Sequence, residues 1–276
     1  MNRTVMTYML ATIVALSTIA GFSMQPLFSG AQAQVGIQSD EPPIMGIEVP
    51  QGLEIVSPSC GQVIDQSVKL TSNLNCDESD ALLVGQHDIV INLNGYTLTG
   101  PGDDSSKVGI MVPNHVNVVI ANGTINGFQA GILASGADNL VVEKINFEGN
   151  QIGVFATGST FVEIRKSMFD LNDIGIAAHS TQNTVIEMNQ FDQNQMAGIT
   201  LVNTDDSQII KNNIGGGDNG VYIDNQSNNN EIAFNNVLMN LIDFNNANGL
   251  PVNTNANNFG QNNCMISNPS GICVGG

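Results

Sequence analysis

The chain has 276 residues, of which 42% are hydrophobic and 12% charged, and it contains no tryptophan. Seven basic residues face 25 acidic ones, giving a formal charge of −18 at pH 7. So acidic a chain, without a basic stripe, lacks the electrostatic basis for holding a phosphate backbone, which excludes nucleic acid as a partner.

The first segment reads as a targeting sequence. Met1-Asn2-Arg3 carries the only early charge, Val5 to Ser23 is apolar or small, and Ala31-Gln32-Ala33 forms an A-x-A site. This pattern predicts a signal peptide over 1–33 that is removed on export. A retained membrane anchor is the competing reading, because the apolar run is nearly long enough to span a bilayer. Loss of Arg3 leaves six basic residues (Lys69, Lys107, Lys144, Arg165, Lys166, Lys211) against 25 acidic ones, a mature charge of about −19. Residues 34–57 include Gln38-Ser39-Asp40-Glu41-Pro42-Pro43 and have the composition of an exposed, flexible lead-in. Beyond the signal no apolar run reaches the length of a membrane span. One domain is then expected over 58–276.

Four cysteines bracket that domain: Cys60 and Cys76 near its start, Cys264 and Cys273 at its end. In an exported chain they read as two disulfides. Of the three possible connectivities, the local pairs Cys60–Cys76 and Cys264–Cys273 are favoured, because the ends of a solenoid lie far apart. No histidine lies near either pair to suggest zinc.

From Val108 onward the sequence repeats about every 22 residues. Gly109-Ile110, Gly131-Ile132, Gly153-Val154, Gly175-Ile176, Gly198-Ile199 and Gly220-Val221 follow one another at steps of 22, 22, 22, 23 and 22, and Ile242 is the next expected rung. A second ladder runs through Ile120, Val142, Ile164, Ile186, Ile209 and Ile232. A third runs through Ile125, Phe147, Phe169, Phe191, Ile214 and Val237. Self-similarity at this period marks a solenoid. Within one period, Leu140 and Val142 fall on one side of a strand and Val141 and Glu143 on the other. After Lys144, Ile145 and Phe147 share a side, and Gly149-Asn150-Gln151 then turns before Ile152 to Ala156. Three short strands per period leave no room for a helix, and no stretch shows helical periodicity. A leucine-rich repeat would need several leucines per unit where Ile, Val and Phe stand. The expected fold is all-β: a single-stranded right-handed parallel β-helix of about seven to eight coils of 22–23 residues. Asn150, Asn172 and Asn194, and likewise Asn117, Asn139 and Asn183, recur at the turns, where asparagine tolerates left-handed backbone and can hydrogen-bond along the axis. The sequons Asn122-Gly123-Thr124 and Asn225-Gln226-Ser227 read first as turns.

The opening coil Cys60-Gly61-Gln62-Val63-Ile64, then Leu74-Asn75-Cys76, and then the run Ile89-Val90-Ile91-Asn92-Leu93-Asn94-Gly95-Tyr96-Thr97-Leu98-Thr99-Gly100 resemble secreted β-helix proteins of the pectate-lyase-like superfamily, including NosD-like members. Val118-Val119-Ile120-Ala121-Asn122-Gly123-Thr124-Ile125 echoes the same pattern. The resemblance covers about 58–276 and implies the fold. Its functional implication is broad, since that superfamily holds lyases, hydrolases, epimerases and adhesins.

Chemistry on such a scaffold requires polar residues in register on adjacent coils. Glu143, Arg165 and Glu187 stack at 22-residue steps with Glu163 beside Arg165, and Lys144, Lys166 and Lys211 occupy the neighbouring turn. Arg165, Lys166 and Lys144 are the candidate catalytic cations of a uronate-polysaccharide lyase. The same set also reads as an alternating salt-bridge ladder. Glu148, Asp170 and Asp192, with Asp173 nearby, form a carboxylate ladder that could hold Ca²⁺ or could simply be a solvated acidic face. The Gly-His-Gly and Arg-x-Lys motifs of the superfamily's hydrolases are missing. His87, His115 and His179 are isolated, so no copper or zinc spacing accompanies the NosD resemblance. With so regular a repeat, the sequence points to an exported, non-catalytic protein at the cell surface or outside the cell, structural or interacting with glycans or other cell-envelope components. The alternative is a polysaccharide lyase or related carbohydrate-active enzyme.

Overall fold

In the computed structural model, residues 54–273 are described. The signal peptide expected over 1–33 and most of the lead-in lie outside the described residues. The lead-in's last residues, Glu54–Val56, form a strand that pairs with Val68–Leu70.

The strands form two sheets, one of ten strands and one of sixteen. Every neighbour in each sheet comes from the preceding or following coil. The alternating pattern dictates this arrangement: each strand is too short to bury its apolar side alone, and stacking like on like every ~4.8 Å gives that side a continuous core.

The ten-stranded sheet aligns Ile110, Ile132, Val154, Ile176, Ile199 and Val221. The sixteen-stranded sheet has two arms. In the strands Val116–Asn126 and Asp138–Glu148 a single chain segment serves both arms, whereas from Thr160 onward each coil supplies separate strands, such as Thr160–Arg165 and Met168–Asp170. One arm stacks Ile120, Val142, Ile164, Ile186, Ile209 and Ile232. The other stacks Ile125, Phe147, Phe169, Phe191, Ile214 and Val237. All three ladders are buried in one core, and each such side chain contributes roughly 1.5–3 kcal/mol through its burial. The phenyl rings of Phe147, Phe169 and Phe191 stack with centroids 4.8 and 4.7 Å apart.

The glycine preceding each aliphatic rung has a packing cause. A Cβ on Gly153 would lie 2.7 Å from Cδ1 of Phe169, and one on Gly175 would lie 2.7 Å from Cδ1 of Phe191. The phenyl column therefore requires glycine opposite it.

The ten strands of that sheet define about nine turns, more than the expected seven to eight. The regular 22-residue step counts only the central coils. The first coils and the last are irregular in length: Leu82 pairs with Ile110 and Ile232 with Phe259. The rung after Val221 is Phe244, not Ile242, which pairs with Asn219 instead. The step from Val221 to Phe244 is 23 residues, because the chain takes one residue more between Ile223 and Ile232 than between their partners Leu201 and Ile209.

Asparagines hold the bends together from inside. Nδ2 of Asn150 donates to Oδ1 of Asn172 (3.1 Å), and Nδ2 of Asn172 donates to Oδ1 of Asn194 (3.0 Å). A second buried column joins Asn189, Asn212, Asn235 and Asn262 by the same bond at 3.2, 3.0 and 3.0 Å. Each Oδ1 also accepts the backbone N–H of the asparagine one coil earlier, as with Asn189 N to Asn212 Oδ1 at 3.0 Å. These bonds satisfy turn amides that no sheet reaches. By contrast, Asn117 is exposed and Asn139 half-buried, both with left-handed backbone, and Asn139 Nδ2 donates to Asn117 Oδ1 at 2.7 Å.

Both cysteine pairs are disulfide-bonded as favoured, Cys60–Cys76 and Cys264–Cys273. They indicate an oxidising compartment.

Candidate functional site

The turn between the two arms uses one left-handed residue per coil. Asn122, Lys144, Lys166, Met188, Lys211 and Phe234 hold φ between 51 and 64° there. The residue before it ends the strand of the first arm, which sets Glu143, Arg165 and Glu187 side by side on adjacent strands. Arg165 donates from Nε to Glu143 Oε2 at 3.1 Å and from an Nη to Glu163. The guanidinium is 8% exposed, and Glu143 and Glu187 are equally buried. Burial pushes the Glu163 carboxyl up from its ordinary value of 4.5; Arg165 opposes this, and the nearby Glu187 and Glu143 charges reinforce it. The predicted cluster is thus assembled, as an ion-pair knot of one cation among three carboxylates. Its Nε and one Nη are turned to glutamates. Lys144 and Lys166 are exposed at the turn, and Lys144 approaches Glu143 at 3.9 Å. The two lysines stand outside the knot on the solvent side.

The predicted acidic ladder is in register: Glu148 pairs with Asp170, and Asp170 with Asp192. Glu148 and Asp192 are exposed. Among the described residues, no three His, Cys, Asp or Glu side chains converge in a way that could hold an ion. Asp205 caps a turn by accepting the N–H of Asn228 at 2.7 Å.

A surface feature that the residue ladders did not single out lies along the turns leading back into the ten-stranded sheet. These turns are three residues long at 149–151, 171–173 and 216–218 but four at 193–196, and the step from Val237 to Ile242 repeats that from Ile214 to Asn219. Gly216-Gly217 lies in the turn that follows the long one, and at Gly217 the asparagine column after Asn194 is interrupted. The N–H of Gly217 donates instead to Asn240 Oδ1 at 3.1 Å. An open groove of about 600 Å³ crosses four coils along these turns and is lined by Leu171, Asp173, Gln193, Gln195, Asp218 and Met239, among others. Burial pushes the Asp173 carboxyl up from 3.8, and the charge of Asp103, on the loop before Val108, adds to the shift. Leu171 and Met239 project into solvent, 54% and 89% exposed, from left-handed positions. The signal for this groove was present in the sequence as the change of step from 22 to 23 after Asp192 and as the Gly-Gly pair.

Comparison with known proteins agrees with this architecture. A DFA-IIIase from Arthrobacter chlorophenolicus A6 in complex with GF2 superposes with a TM-score of 0.51 at 11% identity, covering 73% of this chain and 65% of that one. The tailspike protein of Escherichia coli bacteriophage HK620 in complex with pentasaccharide gives 0.49 at 11% identity, over 69% of this chain and 43% of that one. The chain therefore spans less than two thirds of either structure. No curated protein matches the sequence. A family model described as periplasmic copper-binding protein (NosD) matches residues 84–270.

Among the described residues, the cysteines and histidines do not fit a copper centre. All four cysteines are spent in disulfides. His87 Nδ1 accepts the N–H of Val116 at 3.0 Å, and its ring packs edge-on to that of His115 at 5.1 Å. The Nδ1 atoms of His115 and His179 are buried without a partner. These two histidines sit about three coils, roughly 14 Å, apart along the axis and cannot share an ion. The family model nevertheless spans more than half of the 276 residues, and the fold it implies is the one observed: the chain belongs to the NosD family.

Proposed function

We propose that the protein is an exported, non-catalytic β-helix that interacts with glycans at the cell surface or outside the cell. The observation that carries this reading is the state of Arg165. The cation best placed to serve a lyase is buried between Glu143 and Glu163, so it cannot reach a uronate ring. The flanking Lys144 and Lys166 do not line the groove. What the surface does offer a ligand is an open, uncharged-to-acidic groove without a lysine or arginine in its lining. The disulfides suit export, and fold relatives crystallised with saccharides make a glycan the first partner to test.

The discriminating assay incubates mature protein with a panel of uronate polymers, with and without Ca²⁺, and follows absorbance of unsaturated products alongside glycan binding. Binding without turnover is expected. Turnover by the wild type that is lost in Arg165→Lys, with Ca²⁺ required through Glu148, Asp170 and Asp192, would establish the lyase instead.

A further inference from the structure

Building on the glycan-interacting reading, we propose that the groove along turns 171–173, 193–196, 216–218 and 238–241 is the binding site, and that it takes an uncharged, hydroxyl-rich glycan chain lying parallel to the solenoid axis. The groove crosses four successive coils, so its floor runs about 14 Å along the axis at ~4.8 Å per step. A flexible linear chain matches that shape better than a compact small molecule does, because the groove is open along its length.

The polar lining selects the ligand's chemistry. Asp173 and Asp218 offer carboxylate oxygens to accept hydroxyl protons, and such charge-assisted bonds are about twice as strong as neutral ones. Gln193 and Gln195 supply amides that both donate and accept. A uronate or sulfated polymer would bring its charges against Asp173, Asp218 and the nearby Asp103 with no basic residue lining the groove to compensate, on a chain that is already strongly acidic. That combination repels polyanions and leaves uncharged sugars.

The apolar rim completes the fit. Leu171 and Met239 stand at opposite ends of the groove, highly exposed. They are held in a left-handed conformation that disfavours side chains other than glycine and asparagine. Asparagine or glycine would fill either turn at lower cost. In this arrangement the aliphatic side chains meet the C–H faces of sugar rings while the floor meets their hydroxyls. With no Trp in the chain and no aromatic side chain in the groove lining, ring stacking contributes nothing and affinity depends on several coils being occupied together.

The test is calorimetric titration of the mature protein with two series of oligosaccharides of increasing length, one neutral (glucans, mannans, uncharged chito-oligosaccharides) and one uronate. Wild type is compared with Asp173→Asn/Asp218→Asn and with Leu171→Asn/Met239→Asn. The second pair places a residue that favours left-handed turns at both positions and so preserves folding. Neutral chains are expected to bind with affinity that rises with length and then levels, and each double variant is expected to weaken binding about tenfold or more. Neutral binding that both variants leave intact would place the site elsewhere and overturn this proposal while the glycan reading stands. Binding of uronates alone would overturn the ligand class. Failure of every glycan to bind would remove the broader reading as well.

Discussion

Removing the guanidinium of Arg165 should be among the most damaging single changes on the outer surface of this solenoid. Arg165 is 8% exposed and hydrogen-bonds Glu143 and Glu163 while facing Glu187 on the next strand. Arg165→Met keeps most of the volume and leaves three carboxylates, two of them as buried as the arginine, with no cation among them. Breaking a buried ion pair from one side costs about 3–5 kcal/mol. With a urea m-value of about 3 kcal/mol/M, a loss near 4 kcal/mol lowers the unfolding midpoint by about 1.3 M. The penalty must depend on pH. Burial already holds Glu163 above 4.5 even with Arg165 opposing it, so loss of the arginine raises it further. For a carboxyl whose folded value exceeds its unfolded one, the destabilisation is complete above the folded value and disappears below the unfolded value. The variant's deficit should therefore be full at pH 7 and shrink as pH falls toward about 4.5. Adding Glu163→Gln should restore part of the stability at pH 7. Urea unfolding followed by circular dichroism at several pH values measures all three quantities. A deficit below about 1 kcal/mol at pH 7, or one that stays constant down to pH 4, would refute the account of Arg165 as the compensating charge of a buried knot.

Four further outcomes are expected. Asp173→Asn should raise the melting temperature at neutral pH and lose that advantage below about pH 4, because burial and Asp103 hold the Asp173 carboxyl above 3.8; a thermal shift that ignores pH would contradict this. Asn212→Leu should cost about 3 kcal/mol or more in denaturant unfolding, since Asn212 Oδ1 accepts both the backbone and side-chain N–H of Asn189 and each stranded buried group costs about 1–3 kcal/mol. Asn246→Leu should leave stability unchanged or raise it by about 1 kcal/mol, because Asn246 is 0% exposed with neither amide atom hydrogen-bonded; a clear loss would show an unrecognised partner. Reduction of the disulfides, whose cysteines are 16 and 9 residues apart, should remove about 3 and about 2.5 kcal/mol respectively by loop-closure entropy, seen as stepwise losses in single-pair serine variants.

The three apolar ladders were legible because a parallel solenoid converts sequence period directly into spatial neighbours. Ile110, Ile120 and Phe147 each predict their stacking partner by simple addition. The end coils were not, because Leu82 to Ile110 and Ile232 to Phe259 depart from the period, and turn length there obeys the local chain alone. Among site residues, register was readable and convergence was not. Spacing placed Glu143, Arg165 and Glu187 together and also aligned Glu148, Asp170 and Asp192, but only side-chain burial separates a closed ion-pair knot from an exposed row. The column Asn189, Asn212, Asn235 and Asn262 went unread because its steps are 23, 23 and 27 in a chain rich in asparagine. The groove went unread because it is marked by what the repeat lacks, a side chain at Gly216 and Gly217, and by a single turn, 193–196, one residue longer than its neighbours.

The asparagine columns have a polarity. In every link from Asn150 to Asn172 to Asn194, and from Asn189 through Asn262, the donors belong to the earlier coil and the oxygen to the later one. A finished coil thus presents waiting N–H groups on its C-terminal side and needs nothing more on its N-terminal side. A chain delivered from its N-terminus, by a ribosome or across a membrane, would meet each newly arriving turn with a template already in place, so assembly can proceed vectorially, coil by coil, without waiting for the far end of the chain.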